Sequence, residues 1–471
     1  IQADITSWFT QELNFYFTQQ HRKMLIDESG SLYGVRNFNF MPDGPDPVQK
    51  DGKEYYIRTP RNVIDRANAA KTTIDQPRIF SKSTIRPFKG MEVVFEYTYQ
   101  KNLTNFNYDS GKYLFTDIQL NYTTDPTHDY SIARHYNDYR SAINAYATYR
   151  FDIAGKHHFS VMGGFNQEYY NYEWYNTRAE DQAFLNIPSM SNAQGQVKTA
   201  DSYLNYALRS AFGRINYNYD ERYLVEFSGR YDGSSKFPKD TRFGFFPSFS
   251  AGWRISEEPW LKATGKVDNL KLRLSWGQLG NNSIGNYDWQ STYGTANYVF
   301  GSDDITNGIA STSIKNYALT WETTSVANIG IDFGFFKNRL TGTIDLYNKL
   351  TDGILYTPSM YMVMGNAGAP KQNIAEVTNR GIEIELGWKN QVGKDFYYNV
   401  SANVSYNKNW VSKYKGRHQE GWEVNPATGE KVWKTNIGDV STGGTNRVLE
   451  GHMINEFYMM DTYKGTGTYW N

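Results

Sequence analysis

The sequence predicts an all-β protein whose strands form a transmembrane antiparallel β-barrel. Three observations support this fold class. Apolar and polar residues alternate in many runs, short turns alternate along the chain with long polar connections, and the aromatic content is 16%. Alternation with a period of two is the pattern of a strand with one apolar face. Short turns at one end of the strands and long loops at the other are typical of membrane barrels.

The alternation is clearest in the middle of the chain. In one run, the residues of the apolar face are Tyr223, Val225, Phe227, Gly229 and Tyr231. The opposite face of the same run consists of Leu224, Glu226, Ser228, Arg230 and Asp232. Such runs are about 8 to 13 residues long, and a tilted membrane strand needs roughly 9 to 11. Because an Arg that faces lipid near the midplane costs about 2–4 kcal/mol, the polar face is predicted to point into a wet lumen.

The connections between these runs fall into two classes. The short turns are 154–156, 220–222, 336–338 and 392–394. The long connections are rich in Gly, Asn, Ser and Thr, and they cover 175–203, 280–317, 354–376 and 413–444. Short turns and long connections alternate regularly along the chain, which favours a membrane barrel over a propeller or a sandwich. The short turns would then lie on the periplasmic side and the long loops outside.

The runs between these connections predict about 14 strands in one partial barrel domain over residues 1–471, without a second domain. The predicted strands lie near 4–20, 77–86, 91–101, 139–153, 157–174, 204–219, 222–232, 241–256, 269–279, 318–334, 338–352, 377–390, 395–412 and 445–463. Neither end of the sequence resembles a natural terminus, so we expect the chain to be an internal portion of a longer protein.

Composition narrows the class of protein further. Hydrophobic residues make up only 39% of the chain, and no stretch approaches the roughly 20 apolar residues of a spanning helix. Lys and Arg equal Asp and Glu at 49 each, which disfavours a nucleic-acid partner. Cysteine is absent, which excludes disulfides, thiol catalysis and Cys-ligated metals.

Several segments resemble the SusC/RagA family of TonB-dependent outer-membrane transporters. The order and spacing of these segments match the family across about 205–410. They are Arg230–Phe237, Gly244–Ser256, Leu270–Asn281, Ile284–Tyr287, Trp321–Thr324, Asp345–Asp352 and Asn379–Glu383.

The resemblance implies a 22-stranded barrel with a plug in its lumen, capped by a SusD-like surface lipoprotein. It further implies import of oligosaccharides or oligopeptides, with energy delivered by TonB through a segment that this chain lacks. The location implied is the outer membrane of a Gram-negative bacterium, with the lipid bilayer around the barrel.

The sequence predicts no catalytic residue, no metal site and no cofactor, and therefore not an enzyme. Adjacent His157 and His158 lie at a short turn, and Glu257 and Glu258 are placed poorly for an acid/base pair because neighbours on a strand point to opposite faces. We expect all four side chains to be solvated.

The candidate substrate-binding residues are aromatic residues of the long loops. Aromatic faces stack on sugar rings, and neighbouring Asn, Asp and Arg side chains bond hydroxyl or peptide groups. The alternative role for these rings is an aromatic girdle or packing beneath a partner protein. The candidates are Tyr172, Trp174, Tyr175, Tyr287, Trp289 and Tyr293.

Two other functions remain open at this point. A passive outer-membrane porin would share the barrel but would lack a plug. A soluble carbohydrate-binding β-protein would share the aromatic content, but it would not need an apolar face that recurs from strand to strand.

Overall fold

A computed structural model describes residues 1–25, 48–57, 69–109, 114–116, 130–184, 189–299, 305–358, 367–414, 419–436, 448–454 and 456. The chain divides into two compact units. Unit 1 comprises residues 1–85, 94–145 and 167–207, and unit 2 comprises 86–93, 146–166 and 208–471.

Strands account for most of the described residues. These residues form twenty-one strands: β1 (Gln2–Thr6), β2 (Phe9–Leu25), β3 (Val48–Lys50), β4 (Lys53–Ile57), β5 (Ala69–Ile85), β6 (Met91–Asp109), β7 (Leu114–Thr116), β8 (Tyr130–Ile153), β9 (His157–Glu180), β10 (Val197–Tyr219), β11 (Tyr223–Ser234), β12 (Phe243–Arg254), β13 (Val267–Asn281), β14 (Tyr293–Val299), β15 (Ile305–Ser311), β16 (Glu322–Phe335), β17 (Leu340–Tyr356), β18 (Gln372–Val392), β19 (Phe396–Lys413), β20 (Glu420–Val424) and β21 (Lys431–Thr435).

Fourteen of these strands form one sheet in the order β1-β2-β5-β6-β8-β9-β10-β11-β12-β13-β16-β17-β18-β19. Each strand follows its sheet neighbour along the chain, as expected for an up-and-down arrangement. The remaining strands form small sheets within the connections: β14 with β15, β20 with β21, and β3 with β4 and β7. The all-β class and the large antiparallel sheet are therefore confirmed.

The predicted strands differ from the observed ones at both ends of the sheet. The run near 4–20 is two strands, because the chain turns at Ser7 and Trp8 between β1 and β2. No strand occupies 448–454 of the run predicted near 445–463; these residues form turns, and most of the rest of that run lies outside the described residues.

Most strands are also longer than the alternating runs that predicted them. Apart from β1, the strands of the sheet contain 12 to 24 residues. The extra length lies at the ends next to the long connections, so that β9 reaches Glu180 and β17 reaches Tyr356. Polar side chains are tolerated on both faces there, and the alternation therefore fades before the strand ends. Parts of the long connections lie outside the described residues.

The four predicted short turns are present between adjacent strands. Asp220 and Glu221 have φ of 50° and 51°, and Phe336, Lys337 and Asn338 have φ between 55° and 60°. These left-handed conformations reverse the chain within a few residues. In the turn between β18 and β19, Gly393 supplies the conformation at φ 66° without the strain that a side chain would cause.

The strands β11, β12, β13 and β16–β19 of unit 2 share one continuous apolar face. Cross-strand partners repeat the pattern: Phe227 lies opposite Phe249, Phe249 opposite Trp276, and Leu274 opposite Ile329. The same face continues through Leu346 and Ile382 to Tyr406. Many of these large side chains are exposed. We call this surface the apolar face, and the predicted register of its strands is confirmed.

Stacked aromatic pairs mark the two edges of the apolar face. Tyr223 and Trp253 stack next to the short turns, with ring centroids 6.4 Å apart. Tyr231 and Phe243 stack eight residues further along β11, with centroids 5.1 Å apart. Rings that combine an apolar body with a polar tip prefer the boundary between lipid and water.

The opposite, polar face of unit 2 is held by charge pairs and hydroxyl contacts. Arg273 Nε and Nη2 donate to the two carboxylate oxygens of Asp332 at 2.9 Å each, and Nη2 also donates to Asp345 at 2.9 Å. This group joins β13, β16 and β17 through side chains. Gly330 leaves the space that the Arg273 guanidinium occupies, because a Cβ there would lie 2.6 Å from Nη2.

The connection between β12 and β13 contains a buried carboxylate. It includes a one-turn helix, Pro259–Lys262, which Glu258 precedes. Glu258 accepts hydrogen bonds from Tyr223 Oη at 2.6 Å, Trp253 Nε1 at 3.0 Å and Arg222 Nη1 at 3.1 Å. These contacts hold the pKa of Glu258 below its usual range, with the hydrogen bond from Tyr223 the largest contribution.

Candidate ligand-binding loops

In unit 2, a small core joins the connections that follow β11 and β13 to the end of β17. Phe237 and Leu319 are 0% exposed, and Ile284 packs with them. The partly buried side chains of Trp289, Trp321 and Leu355 surround these three residues. We call this group of six residues the loop platform. Burial of two large side chains in a connection gives these loops an apolar core of their own, which ordinary surface loops lack.

Hydrogen bonds to the backbone tie the loop platform to the strand ends. Thr241 Oγ1 donates to the Leu319 carbonyl at 2.6 Å, and Thr320 Oγ1 donates back to the Thr241 carbonyl at 3.0 Å. Trp321 Nε1 donates to the Arg242 carbonyl at 2.8 Å. The eight residues between β11 and β12 are therefore fixed against the segment that leads into β16.

Asn373 extends the same set of contacts to β18. Its Nδ2 donates to the carbonyls of Thr320 at 2.9 Å and Gly353 at 2.8 Å, and its Oδ1 accepts from the Thr320 amide at 3.0 Å. One side chain thus satisfies three backbone groups that no strand pairing would reach.

A group of charged residues lies beside the loop platform. Asp288 accepts from the Gly285 amide and from Lys371 Nζ, both at 2.8 Å. Burial lowers the pKa of the neighbouring Lys236, an effect that Asp288 opposes and Lys371 reinforces. The Asp288 carboxylate therefore joins the turn after β13 to the residue before β18.

The structure separates the three aromatic candidates of this region by role. Trp289 packs onto the loop platform, and its Nε1 is buried without a hydrogen-bond partner among the described residues. Tyr287 and Tyr293 are displayed instead, with 43% and 72% of their surface exposed. Tyr293 opens the hairpin of β14 and β15, whose side chains Tyr298, Ile305 and Ile309 are also exposed.

Tyr317 is an exposed aromatic residue of this region that sequence reasoning missed. It is 60% exposed, its ring lies 5.8 Å from that of Trp289, and Lys315 Nζ lies 5.1 Å from its centroid. The sequence signal was present, since Tyr317 ends the predicted loop 280–317, but nothing marked it as different from other loop residues.

In unit 1, Tyr172 and Trp174 lie on one face of β9 and pack against the same neighbour. The ring of Tyr136, on β8, lies 6.4 Å from Tyr172 and 6.2 Å from Trp174, and it stacks on the latter at 30°. Tyr170 continues the row and lies 5.2 Å from Tyr206 on β10. We call Tyr136, Tyr170, Tyr172 and Trp174 the aromatic ladder.

Tyr175 points away from the aromatic ladder, because successive strand residues alternate between faces. It is 56% exposed. The structure therefore brings together two of the three candidates on this strand and leaves the third on the opposite surface. Tyr172 is the sixteenth residue of β9 counted from His157, beyond the roughly 9 to 11 residues that cross a membrane.

Guanidinium and amide groups border the aromatic ladder. Arg140 lies over the Tyr170 ring at 4.9 Å, and Arg134 Nε donates to Asn176 Oδ1 at 2.8 Å. Asn102 Nδ2 donates to Asp138 at 2.7 Å. Rings interleaved with such groups can stack on a planar or ring-shaped ligand while hydrogen bonds orient it.

The carboxylates and imidazoles considered for catalysis have other partners, and Glu258 is buried rather than solvated as expected. Glu257 accepts from Lys262 at 2.7 Å, and Glu258 is bonded by Tyr223, Trp253 and Arg222. His157 contacts Tyr217 Oη at 2.8 Å, and His158 contacts Asp152 at 2.6 Å. Among the described residues, no group of three or more His, Cys, Asp or Glu is placed to hold a metal ion. Across the same residues, no helix has the length and apolar character to cross a membrane.

Comparison with known proteins gives consistent matches. Residues 23–445 match the family described as TonB dependent receptor-like, beta-barrel. The chain is 32% identical over 332 residues to the TonB-dependent receptor SusC of Bacteroides thetaiotaomicron, an alignment that covers 68% of this chain and 31% of that protein. It is 31% identical over 421 residues to the TonB-dependent receptor P39 of Formosa agariphila, which covers 87% of this chain and 38% of that protein.

Solved structures share the fold at lower identity. The RagAB peptide importer in its 'open-open' state aligns with a TM-score of 0.73 and 21% identity, covering 97% of this chain and 53% of that chain. The outer membrane transporter YddB from Escherichia coli aligns with a TM-score of 0.51 and 9% identity, covering 87% and 47%. The chain spans about a third of the length of the two curated relatives described above.

Proposed function

Because the chain belongs to the TonB-dependent receptor-like β-barrel family, we propose that the protein imports oligosaccharides or oligopeptides by an energised mechanism. The resemblance to the SusC/RagA type is confirmed by the similarity to SusC. The chain is part of a multi-pass barrel in the outer membrane of a Gram-negative bacterium, and its apolar face accordingly meets lipid. Proteins of this family are receptors and transporters rather than enzymes, and we propose that this one likewise carries out no catalysis.

In this proposal, residues 1–471 are one part of a single barrel domain. The plug and the segment that contacts TonB belong to the remainder of the protein, since the chain spans 31% of the length of SusC. Transport by this protein would then require energy from TonB, whereas a passive porin requires none.

The aromatic ladder is the main observation in support of oligosaccharides or oligopeptides as substrates. Tyr172 and Trp174 present adjacent rings, bordered by Arg134 and Asn176. Sugar rings and peptide groups are both flat enough to stack there, and both carry groups that Asn and Arg can bond. Tyr287 and Tyr293 offer a second set of rings in unit 2, whereas Tyr175 lies on the opposite face of β9 and is left out of the proposed site.

A SusD-like surface lipoprotein is the partner that we propose. The hairpin of β14 and β15 supports this, because Tyr293, Val299, Ile305 and Ile309 share one of its faces and are all exposed. Exposed apolar side chains interspersed with polar ones on a surface hairpin favour contact with a protein.

The substrate proposal is tested by changing one rung of the aromatic ladder in the full-length protein. Loss of a stacked ring costs about 0.5–1.5 kcal/mol, so Trp174→Ala should weaken substrate binding about two- to thirteen-fold. Binding is measured by calorimetry with a series of oligosaccharides and a series of oligopeptides, and uptake is measured in cells with and without TonB.

Tyr175→Ala is the matched control, because it removes an adjacent ring from the opposite face. Equal affinity of both variants and the wild type would remove the aromatic ladder from the proposal. Uptake that continues unchanged without TonB would instead indicate a porin.

A further inference from the structure

Two adjacent cations lie just beyond one edge of the apolar face. In β11, β12, β13 and β16–β19, the rows of residues that form this face include two basic residues, Arg380 on β18 and Lys408 on β19. They are direct cross-strand partners, and the next pair of the same row is Ile382 opposite Tyr406. The apolar face thus changes to a positive one within a single step of the strands.

The placement of these cations relative to the short turn fixes which edge they occupy. The turn between β18 and β19 lies at Gly393, and Arg380 and Lys408 each stand more than ten residues away from it. They therefore lie on the side of the long connections, which is the outer side in the barrels of this family. An Arg or Lys near the interface costs only about 0–1 kcal/mol, whereas at the midplane it costs about 2–4 kcal/mol.

The two positive charges lack a carboxylate partner among the described residues. Arg380 uses Nε to donate to Asn348 Oδ1 at 2.7 Å, and its guanidinium lies 5.2 Å from the Trp410 ring centroid. Lys408 is exposed and forms no ion pair or side-chain hydrogen bond within the described part of the chain. Like charges directly opposite each other destabilise a pair of strands, so the arrangement favours an anion that lies between them.

The surroundings of the pair are mainly apolar. Arg380 and Lys408 line a concavity of about 850 Å³, whose other lining residues include Leu346, Ile382, Tyr406, Trp410 and Met453. Met453 belongs to the turn 448–454, which is held against β19 because the Gly451 amide donates to the Val411 carbonyl at 2.8 Å. An occupant would therefore need an anionic head beside Arg380 and Lys408 and an apolar body along Ile382 and Leu346.

We propose that Arg380 and Lys408 bind the phosphate of a phosphorylated lipid in the outer leaflet, whose acyl chains lie on the apolar face. A free phosphate would satisfy the charges but not the apolar lining. Trp410 and Tyr406 flank the headgroup at the depth where aromatic residues prefer to lie. The site shares no residue with the aromatic ladder and does not depend on the import proposal.

The test uses the full-length protein in phosphatidylcholine nanodiscs with and without monophosphorylated lipid A, and native mass spectrometry counts the bound lipid. Each basic residue near an anionic lipid surface contributes about five-fold, so Arg380→Gln with Lys408→Gln should weaken lipid A binding roughly 30-fold. Lys408→Gln alone should weaken it roughly five-fold. The double variant Lys337→Gln with Lys394→Gln removes the same charge from two exposed short turns and should bind as the wild type does.

Three results would overturn the proposal. Equal lipid A binding by the wild type and both double variants would show that the cations hold no headgroup. Equal weakening by both double variants would indicate a general effect of net charge. Displacement of lipid A by millimolar inorganic phosphate would identify the site as one for a soluble anion.

Discussion

Leu386 offers the sharpest test of the assignment of faces. On β19 the apolar face extends from Phe396 to Tyr406, and Ala402 lies near its middle. Ala402 is the cross-strand partner of Leu386, which therefore marks the centre of the lipid-facing row. Leu386 is exposed on that face.

Replacement of Leu386 by Arg places a charge in the middle of the hydrocarbon. The cost is about 2–4 kcal/mol, which lowers the equilibrium constant for folding roughly 30- to 900-fold. Asn403→Arg is the matched control, because Asn403 is one residue from Ala402, on the polar face, and faces Glu385 across the strands. The same charge introduced there should cost little, since Glu385 can pair with it.

Folding of the full-length protein into phospholipid vesicles from urea measures both variants. The folded barrel is separated from the unfolded chain by its heat-modifiable mobility in gels, and the urea midpoint gives the change in stability. Comparable losses in Leu386→Arg and Asn403→Arg, or no loss in either, would contradict the assignment of the apolar face to lipid.

Three further perturbations address the loop platform, the connection between β12 and β13, and the polar face. Phe237→Ala removes a fully buried ring from the loop platform and should destabilise these loops locally by about 3–5 kcal/mol. Hydrogen exchange should become faster in the described part of 282–321, while the gel mobility of the folded barrel stays unchanged. Tyr293→Ala, at an exposed position, should leave the exchange rates unchanged. The pKa of Glu258 is lowered in the folded protein, so the stability that it contributes is present above the ordinary glutamate value of about 4.3 and is lost as the pH falls through the folded pKa. The thermal midpoint of the wild type should accordingly fall more steeply with acid below about pH 4.3 than that of Glu258→Gln, and parallel curves would show that the carboxylate is not linked to folding. Gly330→Ala should displace Arg273 from Asp345 and cost about 1–3 kcal/mol in urea unfolding, whereas Gly213→Ala, whose new Cβ would lie 3.5 Å from its nearest neighbour, should cost less.

The sequence predicted the strands in which one face is required to be apolar because it meets lipid. Residues such as Val225, Phe227 and Leu274 alternate with polar neighbours because one side of the sheet meets hydrocarbon, and the register follows from that alternation. The outer ends of β8 and β9 escaped prediction because no lipid constrains them there. The break between β1 and β2 was missed since Ser7 and Trp8 carry no Gly or Pro to mark a turn.

The sequence predicted which aromatic residues lie in the loops, but not which of their rings are exposed. Composition marks an aromatic residue in a loop, but it does not say whether the ring is displayed like Tyr293 or packed like Trp289. That choice depends on contacts with Phe237 and Leu319, which are distant from Trp289 in sequence. The motifs around Phe237, Ile284 and Trp321 that carried the family resemblance prove to build the loop platform.

The spacing of the aromatic edges determines which bilayer suits the barrel. Tyr223 to Tyr231 on β11 spans eight residues and Phe243 to Trp253 on β12 spans ten, or about 27–34 Å of strand. At the tilt of roughly 40° that membrane strands adopt, this length covers only about 21–26 Å along the membrane normal. An average bilayer with a hydrocarbon thickness of about 30 Å would have to thin around it, whereas the bacterial outer membrane is thinner than average. Hydrophobic mismatch would thus favour insertion into membranes of short-chain lipids and oppose it in the inner membrane.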